Sequence, residues 1–367
     1  MHSAVISRAD FNGALAFAKR AVERKHTFPI LTHARLRADG DALAVVTTDL
    51  DREVTVRVPA AVDPGFDTTL PAHLLADMVK KSKASMLAMD ATDPDSVRLD
   101  FAGTVATVKA IAPTDFPALP FDGEPVRFSI QSDVLHDALQ SVAFAISTEE
   151  TRYYLNGVYL HAYYGRLHVV ATDGHRLALW RGDLPEAAAD MPGVILPAAT
   201  VHDVIALIGK RKPPVPVSVA ISETRADFTA GNVTIRSKLI DGRYPDYQRV
   251  IPTDRTRMLR VSTEALAETV AAVTPVLLRG RGCAVRLEVE ADMLRLTFRD
   301  PDNGELSGTV PVYTNEWSHV TGFNARYVGD ILKVMGERVT IFQTDPGSPA
   351  VIESDGAVFA VLMPMRV

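Results

Sequence analysis

Asp173 and His175 stand two residues apart in Thr172-Asp173-Gly174-His175-Arg176 and are the residue types of an acid/base pair. A carboxylate can orient an imidazole, which then moves a proton near neutral pH. The competing reading is structural, since polar residues around a glycine also organise a turn by bonding its backbone. The chain has ten histidines and no His-Glu-x-x-His or His-x-His spacing, and the single cysteine, Cys283, excludes an internal disulfide and any multi-cysteine metal site. Cys283 reads as a small core residue. There is no Gly-x-x-x-x-Gly-Lys-Ser/Thr loop, and Arg279-Gly280-Arg281-Gly282 lacks the third glycine of a dinucleotide fingerprint and follows a helix instead of opening one. No metal and no cofactor is expected.

The elements around Asp173 recur, and this recurrence weakens the catalytic reading. Alternating residues Leu43, Val45, Thr47 precede Asp49; Leu167, Val169, Ala171 precede Asp173; Leu294, Leu296, Phe298 precede Asp300. Each set predicts a strand with one buried face. A second anchor follows at Leu70-Pro71, Leu196-Pro197 and Phe323-Asn324, each leading into one apolar helix face: Leu75, Met78, Val79; Val201, Val204, Ile205; Val328, Ile331, Leu332. Amphipathic helices are predicted from Ser7 to Arg24, Ser132 to Ile146 and Ser262 to Val276, with serine at each cap and capping-box spacing from Ser7 to Asp10. The anchors lie 124 and 127 residues apart (49 to 173 to 300). Only the middle copy has a histidine after its aspartate.

Three similar domains are therefore expected, at 1–123, 124–253 and 254–367, with boundaries in the connectors Pro120 to Pro125 and Pro252 to Thr256. Each should hold two helices and a mainly antiparallel sheet of short strands, an α+β fold, with hairpins over Ser218 to Phe228 and Asn232 to Leu239. Hydrophobic residues make up 47% and charged residues 23%, enough for real cores. No window approaches the roughly 18 apolar residues of a membrane span, and the N-terminus lacks a signal-peptide pattern, so a cytoplasmic protein is expected. The net charge of -6 argues against wrapping nucleic acid by overall electrostatics. Basic residues nevertheless gather after the helices: Lys19, Arg20, Arg24, Lys25; Lys80, Lys81, Lys83; Lys210, Arg211, Lys212; and Arg279, Arg281. They either complement helix dipoles or form a shared phosphate-contacting surface.

Several motifs in order carry a resemblance: Thr172-Asp173-Gly174-His175-Arg176-Leu177-Ala178, Asp241-Gly242-Arg243-Tyr244-Pro245-Asp246-Tyr247, Tyr153-Tyr154-Leu155-Asn156-Gly157 and the ending Met363-Pro364-Met365-Arg366, supported by Thr27-Phe28-Pro29-Ile30-Leu31 and Gly322-Phe323-Asn324. Over its whole length the chain resembles the bacterial DNA polymerase III beta subunits, the sliding clamps. The resemblance implies a head-to-tail homodimer, a closed ring of six domains with helices lining the hole. It also implies a non-catalytic processivity factor that encircles duplex DNA without reading sequence. Its partners would be the replicative polymerase alpha subunit, a clamp loader, and other polymerases and repair proteins, all docking by short peptides. An Asp173/His175 enzyme and a repeat-built adaptor that never meets DNA are the alternatives.

For the peptide groove the resemblance implies Arg152, Leu155, Thr172, Gly174, His175, Arg176, Leu177, Pro245, Arg249, Val250, Val361, Met363, Pro364, Met365 and Arg366. For DNA it implies Arg24, Tyr153 and Tyr154, to which the charge pattern adds Lys80, Lys81, Lys210, Arg211, Arg279 and Arg281. For the ring joint, Ala106 and Val108 should meet the helix end around Val276 and Leu277, with Asp300, Asp302 and Glu305 facing first-domain lysines. The terminal Val367 stands where the family commonly has leucine, Gln248 where a basic residue often precedes Arg249, and Pro275 with the following loop alters the end of the fifth helix.

Overall fold

A computed structural model describes residues 2–121, 123–209, 212–274, 284–300 and 304–367. In the first repeat the chain runs β1 (Ser3–Ser7), α1 (Arg8–Ala18), β2 (His33–Asp39), β3 (Ala42–Thr48), β4 (Arg52–Val62), β5 (Phe66–Pro71), α2 (Ala72–Lys81), β6 (Met86–Asp90), β7 (Ser96–Phe101) and β8 (Thr104–Lys109). The second continues with β9 (Val126–Gln131), α3 (Ser132–Val142), β10 (Gly157–Tyr163), β11 (Arg166–Thr172), β12 (Arg176–Asp183), β13 (Val194–Pro197), α4 (Ala198–Ile208), β14 (Pro216–Ile221), β15 (Arg225–Ala230) and β16 (Val233–Lys238). The third has β17 (Met258–Ser262), α5 (Thr263–Val273), β18 (Ala284–Glu290), β19 (Met293–Asp300), β20 (Gly304–Asn315), β21 (Thr321–Asn324), α6 (Ala325–Leu332), β22 (Arg338–Phe342), β23 (Ala350–Ser354) and β24 (Val358–Leu362).

The chain packs as two compact units that cut the central repeat. The first unit takes residues 1–136, 185–192 and 202–239, and the second takes 137–184, 193–201 and 240–367. The cut follows the sheets. In the first unit β16 of the central repeat pairs with β4 of the first, giving the order β8-β7-β6-β1-β4-β16-β15-β14-β9. In the second unit β12 pairs with β24, giving β13-β10-β11-β12-β24-β23-β22-β17-β20-β19-β18-β21. Both sheets are antiparallel throughout these pairings. Hairpins join the strands, as at β15–β16, where Ala230 faces Val233 across a two-residue turn with Gly231 at φ +62.

The apolar anchors lie inside. Leu43, Val45, Leu167, Val169, Leu294 and Leu296 are buried, as are Leu75, Val79, Val201, Val204, Val328, Ile331 and Leu332 on the helices. Helix α1 packs on α2, and α5 on α6. Ser7 and Ser262 cap α1 and α5 by accepting from the Asp10 and Ala265 amides, and Asn324 caps α6 through the Arg326 and Tyr327 amides. Two expectations need correction. The first and third helices are shorter than the apolar stripe suggests, because each tightens into a 3-10 turn at Lys19–Ala21 and Ala143–Ala145. Ser132 is the first residue of α3, and its hydroxyl accepts from the Val215 amide, tying the helix to the approach of β14.

Candidate functional site

Asp173 follows the β11 strand and holds the turn into β12. Its Oδ1 accepts from the His175 and Arg176 amides at 2.9 and 3.0 Å, and its Oδ2 from Arg176 Nε at 3.0 Å. Thr172 Oγ1 donates to the Arg176 carbonyl and accepts from the Gly174 amide. The acid/base reading fails on this geometry: the Asp173 carboxylate bonds the His175 backbone, while the exposed ring stacks toward Tyr327 at 6.4 Å. Gly174 sits at φ +88, and a Cβ there would lie 2.5 Å from Arg152 Nη1. Glycine is thus required twice, for the left-handed backbone and for the room Arg152 needs. Arg152 is fixed by Glu149 and by donating to the Asp173 carbonyl.

Around this turn lies an open, mainly apolar groove of about 330 Å³ within the second unit. Of the expected groove residues, Arg152, Leu155, Thr172, Gly174, His175, Arg176, Leu177, Pro245, Val250, Val361 and Met363 line it. Strand β24 brings the last two alongside the turn, since Arg176 pairs with Leu362 and the Met363 amide donates to the His175 carbonyl at 2.9 Å. Arg249, Pro364, Met365 and Arg366 do not line it. Arg249 is ion-paired with Asp246 at 2.8 Å on the surface. The tail beyond Met363 turns away, because the Met365 amide donates to the Gly322 carbonyl and Val367 packs over Gly322. Val367 therefore lines a different depression, beside Arg286 and Arg299, and its replacement of leucine does not alter this groove.

Arg176 has a task the sequence did not reveal. Its guanidinium donates to Asp330 at 2.9 Å and to the Phe144 carbonyl at 2.6 Å, between the Phe144 and Tyr327 rings. Burial would raise the Asp330 carboxyl, but hydrogen bonds and charge from Arg176 and Lys333 hold it below the usual carboxylate range. The Arg176 charge is thus held by partners inside the protein while the residue also lines the groove.

Three lining residues were not expected there: Tyr154, Asp246 and Tyr247. Tyr154 was assigned to DNA, yet it packs against the cluster of Leu155, Leu177, Tyr247 and Val361. Tyr247 forms the floor. Its hydroxyl lies 3.1 Å from His161 Nε2 and 2.8 Å from His168 Nδ1. Burial, helped by the charges of His161, Arg181 and Arg166, lowers His168 to about 4, so it stays neutral near pH 7. The signal was present as aromatic and histidine residues on alternating positions Tyr159, His161 and Tyr163 of β10.

Among the other expected residues, Arg24, Lys80 and Lys81 are exposed in the first unit, and Tyr153 is exposed in the second. Lys210, Arg211, Arg279, Arg281, Val276 and Leu277 lie outside the described residues, as do Pro275, Cys283 and Asp302. Arg20 is not a free cation: it pairs with Asp203 at 2.6 Å. Ala106 and Val108 lie on β8, Ala106 half-buried and Val108 buried. No helix among the described residues is long and apolar enough to cross a membrane, and no cluster of three metal-ligating side chains occurs among them.

Comparison with known proteins agrees with this architecture. The chain matches the DNA polymerase III beta subunit family in three successive parts, the N-terminal domain over residues 3–120, the central domain over 129–246 and the C-terminal domain over 248–366. It is 36% identical over 372 residues to the beta sliding clamp of Caulobacter vibrioides, covering 99% of both chains, and 30% identical to that of Pseudomonas aeruginosa, covering 94% of both. A Bartonella birtlesii DnaN clamp solved with griselimycin bound superposes with a TM-score of 0.95 at 33% identity, with both chains fully covered. A Caulobacter crescentus clamp, solved with polyethylene glycol in its putative beta-motif tethering region, gives 0.94 at 34%, covering 100% of this chain and 99% of that one. Three α+β clamp domains in this order, matched over nearly the whole chain, identify it as a member of the DNA polymerase III beta subunit family, a sliding clamp and non-catalytic processivity factor.

Proposed function

We propose that two copies of this chain close head to tail around duplex DNA and use the groove beside Asp173 to tether the replicative polymerase alpha subunit. The clamp loader, other polymerases and repair proteins would take turns at the same groove through short apolar peptides. The groove itself is the observation that carries this reading. Its turn is held by Asp173, its floor by Tyr247, and its open side is given by Met363, which is 41% exposed. A flexible thioether suits several peptides in turn. Tethering raises the polymerase's effective concentration at the primer end, and weak phosphate contacts let the ring move.

Exposed Arg24, Lys80, Lys81 and Tyr153 are the proposed DNA contacts among the described residues, with Lys210, Arg211, Arg279 and Arg281 beside them in sequence-based assignment. The domain limits proposed are 1–123, 124–253 and 254–367, although β16 and β12 bind neighbouring repeats into shared sheets. A protein that acts on DNA in this way is proposed to work in the cytoplasm. To test the reading, the chain is loaded by a clamp loader onto nicked circular DNA, which is then linearised. The expected result is retention on the circle and loss from free ends. Equal retention on both forms would refute topological linkage.

A further inference from the structure

The repeats meet inside this chain at two joints, where β16 pairs with β4 and β24 with β12. An arginine lock runs beneath each: Arg52 reaches Asp203 on α4 and Arg176 reaches Asp330 on α6, each at 2.9 Å. The strand leading into each locked turn, β3 or β11, begins at a hairpin with a two-residue turn, and β19 begins at a third. The spacing is the same in every copy, from Asp39 to Asp49, Tyr163 to Asp173 and Glu290 to Asp300. The tips differ in chemistry. In the first and third repeats they read Asp39-Gly40-Asp41-Ala42 and Glu290-Ala291-Asp292-Met293, two acids each, but in the central repeat Tyr163-Tyr164-Gly165-Arg166. Tyr164 and Gly165 hold φ +46 and +71, a turn that favours asparagine or glycine at its first position. A tyrosine there is strained, and at 90% exposure it gains no burial in return.

This hairpin continues the groove. Rows of residues cross the same face of the sheet: Thr172, Leu177 and Val361 in the groove, His161, His168 and Arg181 behind it, and Tyr163 beside Arg166 at the tip. Tyr247, the groove floor, covers the middle row. Ring contacts run from it through His161 to Tyr163 and Tyr164, with centroids 5.8, 5.9 and 4.6 Å apart. From Thr172 back to Arg166 along β11 is roughly 20 Å, a span that about six extended residues of a bound chain would cross. The cations at this end are unmatched. Arg166 and Arg181 are exposed, and neither has an ion pair among the described residues, although Asp183 stands opposite Arg166. Arg181 lies over the Phe359 ring, where partial burial and the charges of Arg166 and Arg255 push its pKa below the ordinary value, outweighing Tyr247 and Glu353.

We propose that a partner seated in the groove continues as an acidic segment along these rows, its carboxylates meeting Arg181 and then Arg166 and its end lying against the Tyr163 and Tyr164 rings. The proposal rests on the groove reading and extends the partner from an apolar peptide to an apolar peptide with an acidic flank. Carboxylates suit guanidinium groups through charge-assisted bonds. Single-stranded DNA fits less well, because the two tyrosine rings meet edge to face at 85° and offer no parallel platform for successive bases.

The test titrates the full chain with the apolar polymerase-tail peptide, either bare or extended at one end or the other by about six residues of alternating Asp and Gly. In about 50 mM salt, where exposed charges are weakly screened, one of the two extended peptides should bind about fivefold tighter than the bare one, the size expected of two exposed charge pairs. Arg166→Glu combined with Arg181→Gln should bring that ratio to about one, and Tyr164→Gly, which suits the turn, should lower it. An equal gain from a Lys-Gly extension would overturn the charge reading. No gain from either acidic peptide while the bare one binds would overturn the proposal and leave the groove standing, whereas no binding of the bare peptide would overturn both. If Tyr164→Gly weakened binding of a fluorescent oligo-dT and spared the peptides, the hairpin would belong to nucleic acid and the proposal would fall.

Discussion

The turns at Asp49 and Asp173 are one device put to two uses. In each the aspartate caps the backbone of the following turn and aims an arginine at a neighbouring helix. What differs is the surface laid over it. The strand crossing the first turn carries Arg236 and Lys238, paired with Asp227 and Asp51, and the strand crossing the second carries Val361, with Met363 just beyond its end. The register makes these residues counterparts, since Ser237 faces Arg52 as Leu362 faces Arg176. Within the turn, Leu50 and Asp51 correspond to Gly174 and His175. The groove is therefore a joint whose outer charges have been exchanged for apolar side chains and whose turn has been cleared by glycine. The arginine lock lies beneath both and serves stability in each.

Removing the lock should have the largest effect. Asp203 is 3% exposed and accepts from both Arg20 and Arg52, so Asp203→Ala takes a buried acceptor from two cations, of which Arg52 keeps Asp49. Breaking a buried pair from one side costs about 3–5 kcal/mol. Denaturant melts should show a loss of that size for Asp203→Ala and a smaller one for Asp330→Ala, whose side chain is 21% exposed. Equal and negligible shifts would mean that strand pairing alone holds the joints.

A second difference lies behind the groove, where His168 stands at the place of Ala44 in the first repeat. Its folded pKa, about 4, is below its ordinary 6.5. As pH falls between these values the unfolded chain binds the proton first, so stability declines with it. It is fully present above about 6.5 and lost through about 4. Asp330, held below its ordinary value, acts in the same direction at lower pH. His168→Phe should flatten the pH dependence of Tm in the window from 4 to 6.5, and an unchanged slope would assign the acid sensitivity elsewhere.

Much of this was legible in the sequence, for identifiable reasons. Strand alternation before each aspartate and the apolar faces of α2, α4 and α6 report burial, which periodicity encodes directly. Most of the proposed groove came from motif resemblance, and eleven of those fifteen residues line one depression. The role of Arg176 did not, because its partners Asp330 and Phe144 lie far away in sequence and a charged side chain next to a groove reads as a ligand contact. The packing of Tyr154 beside the groove was not legible, because adjacent tyrosines give no sign of which ring faces the core. The sharing of sheets between repeats was also hidden, since β16 and β12 look like ordinary strands of their own repeat. Nor does the sequence show that Arg299 pairs with Glu305, six residues on, where Thr48 and Thr172 pair with residues five on.

Exchanging the outer residues tests the comparison at the groove itself. Met363→Lys installs the counterpart Lys238 at a position already 41% exposed, so folding should be unaffected. Losing one apolar contact of this size is worth about 1.4 kcal/mol, or tenfold in affinity. Titration with an apolar polymerase-tail peptide should show that weakening, and retained affinity would mean that Met363 is only a bystander at the rim.

The smallest effect concerns the turns. Leu50 holds φ +77 where Gly174 holds +88. A non-glycine residue there costs about 1–2 kcal/mol, whereas glycine costs roughly 0.5–1 kcal/mol in unfolded-chain freedom. Leu50→Gly should therefore change stability by less than about 1 kcal/mol, since the relieved strain nearly offsets the lost rigidity. The reverse exchange, Gly174→Leu, is not its mirror image, because the new side chain also meets Arg152 at the Cβ and must push its guanidinium from the Asp173 carbonyl. Stability should fall and peptide affinity with it. If Leu50→Gly and Gly174→Leu gave equal and opposite shifts with affinity intact, strain alone would explain the glycine, and the clearance it gives Arg152 would have no part in building the groove.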